Sequence, residues 1–209
     1  MKKGLFISFE GIDGCGKSTQ AWKTAKYLAD KSKYNHIIVT REPYSDTKIR
    51  KALQSEADPY ASAMELANKF VNDRKLHVMD LIEPNLAKGY HVISDRYAFS
   101  TFAYQQTQGI ALSELIKMHN GLPHPDQTFL VDVPVEVAIE RMKNDKSRNT
   151  EQKFEKDRFF IEKLRKNYLA LCQLNYHIDI IEGTKSIEDI FEKQIKPKID
   201  DIWANYEKA

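Results

Sequence analysis

With 209 residues the chain is long enough for one sizeable α/β domain with its own core, and 42% hydrophobic and 30% charged residues are ordinary for a folded domain. A formal net charge of +2 is nearly balanced, which argues against a broad nucleic-acid or anionic-membrane surface. Cys15 and Cys172 give neither a disulfide framework nor a zinc-site spacing, and no apolar run is long enough for a signal peptide or a membrane span, so a reducing cytosol is the expected compartment.

The first predicted element is Leu5-Phe6-Ile7-Ser8-Phe9, an apolar run of strand length. It leads into Glu10-Gly11-Ile12-Asp13-Gly14-Cys15-Gly16-Lys17-Ser18-Thr19. Gly11 and Gly16 have four residues between them and are followed by Lys17 and Ser18, which is the Walker A pattern. Gln20 to Ala29 reads as the helix this pattern needs behind it. In such a loop, glycines let backbone N–H groups close on phosphate oxygens. The helix N-terminus adds the positive end of its dipole. Lysine reaches the β and γ phosphates, and the serine hydroxyl ligates Mg²⁺. Gly11, Ile12, Asp13, Gly14, Cys15, Gly16, Lys17, Ser18 and Thr19 are therefore the candidate ATP-binding residues. Cys15 reads either as a reactive thiol at a helix N-terminus or as a small filler.

His36-Ile37-Ile38-Val39-Thr40 reads as the second strand and delivers Arg41-Glu42-Pro43 to its carboxyl end. Ligands of open α/β sheets bind at that end, so Arg41 is either a phosphate contact or a solvated arginine. Pro43 stops regular structure and holds Glu42 extended. Tyr60 to Lys88 carries one long helical pattern, with Leu66, Phe70, Leu76, Met79, Leu81 and Ile82 apolar, and Gly89 as its stop. Phe70 and Arg74 share a face and His77 follows on it. Phe70 reads equally as a core ring or as a base-stacking ring beside an arginine that bonds the base edge. Tyr90-His91-Val92-Ile93-Ser94, the third strand, ends in Asp95-Arg96-Tyr97. A carboxylate there suits Mg²⁺ and an arginine suits a phosphate; the plainer reading is a surface Asp–Arg pair. Ser100, Thr101, Tyr104 and Gln105 follow in helical register, and Gln105 offers a nucleobase both a donor and an acceptor.

Leu112 to Asn120 is a further helix, closed by Gly121 and Pro123. Gln127 to Val133 is the fourth strand, and Pro134 opens a helix to about Asn144. Asp132 reads as a second acidic group near the phosphates or as the cap of that helix. From Lys143 to Lys153 the chain is polar and basic with no apolar face. It is a solvated loop or, as the expectation for a phosphate loop that carries no arginine, a lid that brings cations to the transferring phosphoryl group. Phe154 to Asn175 reads as an amphipathic helix with Phe159, Leu164, Tyr168 and Leu171 apolar. Tyr176 to Ile181 reads as the fifth strand. Ser186 with Asp189 opens the last helix, with Pro197 as the place for a break.

These segments together resemble the thymidylate kinase (dTMP kinase) family of P-loop nucleoside monophosphate kinases over nearly the whole chain. The matching residues are Phe9 to Thr19, Thr40-Arg41-Glu42-Pro43, Phe70 to Arg74, Asp95-Arg96-Tyr97 with Ser100, Ala103, Tyr104 and Gln105, and Asp132-Val133-Pro134 with Glu136 and Arg141. The resemblance implies a single three-layer α/β P-loop domain over residues 1–209, with a parallel sheet of about five strands, helices on both faces and a lid near 143–153. It implies Mg²⁺-assisted, direct in-line phosphorylation of dTMP to dTDP by ATP, on the way to dTTP. It also implies a cytoplasmic homodimer that binds neither nucleic acid nor membrane.

By the same resemblance, Asp13 lies near the acceptor sugar and phosphate, and Arg41 and Arg96 grip that phosphate. Phe70 stacks on thymine and Arg74 bonds its edge. Tyr104 crowds the place of a ribose 2′-OH, Thr101 and Gln105 lie near the base, and Ser100 joins the substrate-binding residues. Lys17 and Ser18 serve ATP, Ser18 and Asp95 the metal. Lys17, Asp13, Arg96 and the lid's Arg148 make up the catalytic set. Two departures stand out: Tyr44-Ser45 replace two glycines common in the family, and the lid is poor in arginine, with Arg148 flanked by Lys146 and Lys153. The alternatives are a related P-loop kinase for another nucleotide or a deoxynucleoside, and a non-enzymatic nucleotide switch. The acceptor-side residues Phe70, Arg74, Arg96 and Tyr104 argue against the switch.

Overall fold

The computed structural model describes residues 2–55, 58–145, 157–174 and 177–208. Among the described residues, five strands form one parallel sheet: β1 Phe6–Glu10, β2 Ile37–Arg41, β3 His91–Asp95, β4 Gln127–Asp132 and β5 Ile178–Glu182. Their order is β2-β3-β1-β4-β5. The chain leaves β1 with β3 on one side and β4 on the other, so the crevice beyond its carboxyl end is the topological switch point. β1 and β3 are buried along their whole length, which is why they read as near-continuous apolar runs. The edge strands β2 and β5 are only partly covered. Register places Asp95 opposite Phe9 on one side and Arg41 on the other. Three widely separated parts of the sequence therefore meet at one sheet edge.

Helix α1, Lys17–Lys31, lies against β1, β2 and β3 and buries Ala21, Ala25 and Leu28. Helix α2, Thr47–Ser55, is an addition to the sequence reading. Its signal is only Ile49 and Leu53, one turn apart and both buried, too short a pattern to declare a helix. The long helix expected from Tyr60 to Lys88 begins after a turn at Ser62, which has φ 57°. It runs as α3, Ala63–His77, a π turn Val78–Ile82, and α4, Glu83–Ala87.

Helices α5, Ala98–Thr107, and α6, Leu112–Met118, follow β3. Pro134 is the N-cap of α7, Val135–Asn144, and so stands one residue before the helix it was expected to open. Helix α8, Arg158–Leu171, packs on α5 and is capped by Asp157, whose side chain accepts from the Phe160 N–H at 3.0 Å. Ser186 caps α9, Ile187–Ile190, as expected, and a second π turn, Phe191–Ile195, leads into α10, Lys196–Lys208.

Both π turns end two residues before a proline, Pro84 and Pro197. The preceding residues, Glu83 and Lys196, donate their N–H groups five residues back, to the carbonyls of Val78 and Phe191. Proline lacks an N–H and its ring clashes with the carbonyl four residues earlier. The wider turn moves that carbonyl aside, so the helix passes through Pro197 instead of breaking there.

Candidate active site

The phosphate loop follows β1. A Cβ at Gly11 would fall 2.5 Å from the Val131 carbonyl oxygen, and one at Gly14, 2.4 Å from that of Ala138. The loop is thus pressed against β4 and α7 where only glycine fits. Gly16 is the N-cap of α1 and has no side chain to cap the first-turn N–H groups. Those donors remain for an anion. Lys17 Nζ, buried, donates to the Ile12 carbonyl at 3.4 Å and to Asp13 Oδ1 at 3.3 Å. Arg141 braces the loop by donating to the carbonyls of Cys15 at 3.2 Å and Gly183 at 2.9 Å. Burial pushes the Cys15 thiol up. It stays protonated and fills space; it is not a thiolate nucleophile.

Ser18 Oγ donates a short hydrogen bond to Asp95 Oδ2. The other oxygen, Oδ1, is buried without a partner among the described residues. A buried carboxylate oxygen with no donor is costly, and a hydroxyl paired with a carboxylate beside a phosphate loop is a hard-oxygen donor set that suits Mg²⁺. Ser18 and Asp95 therefore fit the ion the sequence implied. Asp132 does not join them. Its carboxylate is clamped by the Arg165 guanidinium at 2.6 and 2.8 Å, and it caps no helix.

Beside the Ser18–Asp95 pair opens a cavity of about 290 Å³ lined by Trp22, Thr40, Arg41 and Tyr44 as well. Arg41 is exposed at the end of β2. Tyr44 stacks on His77 with ring centroids 4.5 Å apart.

On the other side of the loop, Asp13 Oδ1 accepts from Arg96 at 2.6 Å and Oδ2 from the Tyr104 hydroxyl at 3.1 Å. Burial alone would raise the Asp13 pKa, but the Arg96 and Lys17 charges more than reverse this, holding the carboxyl well below the usual range. Arg96, with φ 76°, also donates to the Gly11 carbonyl at 3.2 Å, Ser100 Oγ at 2.9 Å and the Tyr168 hydroxyl at 3.1 Å. Ser100 and Tyr168 in turn donate to Glu10 Oε2, at 2.6 and 3.3 Å, while Glu10 Oε1 accepts the Tyr97 N–H at 2.8 Å. Burial pushes the Glu10 carboxyl up to about 7 despite these donors.

Arg74 occupies a separate network. It is 1% exposed. Its Nε and one terminal nitrogen grip Glu42, that nitrogen also reaches the Tyr97 carbonyl at 3.0 Å, and the other serves Thr101 Oγ1 and His119 Nε2. His119 Nδ1 faces the Leu115 carbonyl at 2.7 Å. Burial and the Arg74 charge lower the imidazole pKa to about 3, so the ring is neutral and accepts through Nε2. Arg74 thus turns its donors to protein acceptors rather than to a base edge, and Thr101 is engaged with it. Phe70 is half-buried, one side against the core. Gln105 is fully buried, its Nε2 on Gln108 at 3.1 Å and its Oε1 without a partner among the described residues.

Of the residues singled out by sequence, Asp13, Lys17, Arg96, Ser100 and Tyr104 meet in one connected network. Ser18, Asp95 and Arg41 line the adjoining cavity. Arg148 and most of the expected lid, residues 146–153, lie outside the described residues; Lys143 and Asn144 end α7. Glu10, Glu42, Asp73, His77, His119 and Tyr168 were not assigned. Glu10, Glu42 and Asp73 lie inside the segments that carry the resemblance, as charged residues that turn out buried. Tyr168 read only as an apolar helix position.

The family model described as thymidylate kinase matches residues 9–194. A probable thymidylate kinase of Pyrococcus horikoshii is 37% identical over 195 residues, covering 90% of this chain and 92% of that protein. A thymidylate kinase of Fervidobacterium nodosum is 38% identical over 199 residues, covering 92% and 97%. One of Thermosipho melanesiensis is 37% identical over 204 residues, covering 94% and 98%.

Proposed function

Since the chain belongs to the thymidylate kinase family, we propose that the crevice around Asp13 performs ATP-dependent phosphorylation of dTMP to dTDP, with the residue roles that follow. The observation that carries this reading is the double engagement of Asp13. From inside the phosphate loop it bonds Lys17 on the donor side and Arg96 and Tyr104 on the acceptor side. A loop that only held a nucleotide would have no need of the second half.

The loop N–H groups and Lys17 hold the donor phosphates. Ser18 and Asp95 hold Mg²⁺, which when bound neutralises charge on the donor phosphates. Arg41, exposed and beside that pair, and Arg96 take the acceptor phosphate. Asp13 keeps Arg96 oriented and charged. Phe70 supplies a ring face for the base, and the unpartnered Gln105 Oε1 suits an N–H on its edge. Arg74 acts by holding Glu42 and Thr101 in place. Arg148, from a lid over residues 143–153, supplies the cation that the phosphate loop lacks, and the closed lid excludes water. Transfer is direct and in line, without a covalent enzyme intermediate, so catalysis is positioning and charge neutralisation. The enzyme works as a single domain in a cytoplasmic homodimer. Exposed Leu76 and Met79 on one stretch of helix support an apolar contact between copies.

The test is Lys17→Ala. The variant should keep its circular dichroism spectrum and lose about 10²-fold or more in dTMP-dependent ADP formation, the scale of removing a principal charge stabiliser. Undiminished transfer would contradict the assignment.

A further inference from the structure

We propose that Asp73 is a positioning residue that holds the acceptor-phosphate loop in register with the base-binding helix. The proposal rests on the reading that Arg41 takes the acceptor phosphate. Asp73 is 3% exposed on α3. Its carboxylate collects the backbone N–H groups of three consecutive residues: Tyr44 on Oδ2, and Ser45 and Asp46 on Oδ1, both at 2.8 Å. Ser45 Oγ adds a fourth donor at 3.1 Å. A buried carboxylate demands such satisfaction, and here the loop provides it.

The same helical turn holds the other side of Arg41. Arg74 grips Glu42, and His77 reaches Glu42 Oε1 at 3.1 Å and Thr40 Oγ1 at 2.8 Å. Residues 40, 42 and 44–46 are thereby tied to residues 73, 74 and 77, while the Arg41 side chain makes no hydrogen bond or ion pair among the described residues. Its direction follows from the backbone alone. Phe70 lies one turn earlier on the same helix.

This also accounts for Tyr44-Ser45 standing where glycines are common. Neither residue has a positive φ. The curvature of the loop is fixed by convergent N–H donors on a carboxylate, a nest turned inward, and needs no left-handed residue.

The experiment is a kinetic double-mutant cycle with Asp73→Asn and Arg41→Ala. Asparagine keeps one acceptor, turns the other into a donor facing an N–H, and removes the charge assistance. The KM for dTMP should rise about tenfold in Asp73→Asn, the scale of a modest misplacement of a substrate-holding group, with the KM for ATP unchanged. In the Arg41→Ala background the same change should add less than about twofold, because coupled residues are non-additive. Full additivity, or an equal rise in both KM values, would make Asp73 a general stability residue and overturn the proposal. Should Asp73→Asn fail to fold, Ser45→Ala removes one loop donor at little cost and should raise the KM for dTMP about twofold; no change would overturn the proposal. Arg41→Ala with full dTMP turnover and unchanged KM would remove Arg41 from the acceptor site, and the proposal with it, while leaving the phosphorylation reading intact.

Discussion

The two halves of the crevice are built on different principles. The half assigned to the donor is local and made largely of backbone: Gly11 to Ser18, a helix N-terminus, and one buried carboxylate oxygen of Asp95 with no partner among the described residues. The acceptor half is long-range and made of side chains. Glu10, Asp13, Arg96, Ser100, Tyr104 and Tyr168 form one network, and Glu42, Arg74, His77 and His119 form another. The difference bears on what an arginine does in each place. Every donor of Arg74 faces a protein acceptor, the arrangement of an organising residue, whereas the Arg41 side chain is exposed and unengaged among the described residues, the arrangement that suits a phosphate contact.

The sharpest way to break that contrast is to remove each arginine in turn. Arg74→Ala should cost about 3–5 kcal/mol of stability, because it strands a buried Glu42 carboxylate. Arg41→Ala should change stability by less than about 0.5 kcal/mol, the range of exposed substitutions. Denaturant unfolding at equilibrium checks both. Similar losses would mean the two cations are not divided between organising and binding.

A smaller effect separates the two carboxylates of the first network. Glu10 has its carboxyl raised from the ordinary 4.5 to about 7. The folded state therefore binds its proton more tightly than the unfolded chain, and its contribution to stability falls as pH rises from about 4.5 to about 7. Asp13 is lowered, so its contribution is present above the ordinary aspartate range and is lost as pH falls. Glu10→Gln should remove the decline across the first window and leave the acid-side loss. An unchanged stability–pH profile would show that Glu10 does not titrate there.

The donor half was legible in the sequence because its parts are contiguous. Loop, lysine, serine and helix occupy Gly11 to Ala29, and the parallel strands announced themselves as apolar runs. Arg96 is legible from its place at a strand end, and the role of Tyr104 comes through the family resemblance. What did not come through was the state of each group. Arg74 and Phe70 share a helix face, yet periodicity cannot say that every donor of Arg74 has been taken by Glu42, Thr101, Tyr97 and His119, which are distant in sequence. Asp132 ends a strand as Asp95 does, but its partner Arg165 lies on α8 and cancels it. The π turns before Pro84 and Pro197 were equally hidden, since a proline in a helical pattern looks the same whether the helix breaks or widens.

The proposed function requires an acceptor half shaped for a phosphorylated deoxynucleoside bearing thymine. The most direct measurement is ADP formation from ATP with dTMP, dUMP, UMP and thymidine as separate acceptors. On the proposed residue roles, turnover should be highest with dTMP, lower with dUMP, lower again with UMP, whose 2′-OH would meet Tyr104, and lowest with thymidine, which would offer Arg41 and Arg96 no phosphate. Equal or faster turnover of thymidine, or ADP formation that needs no acceptor, would contradict it.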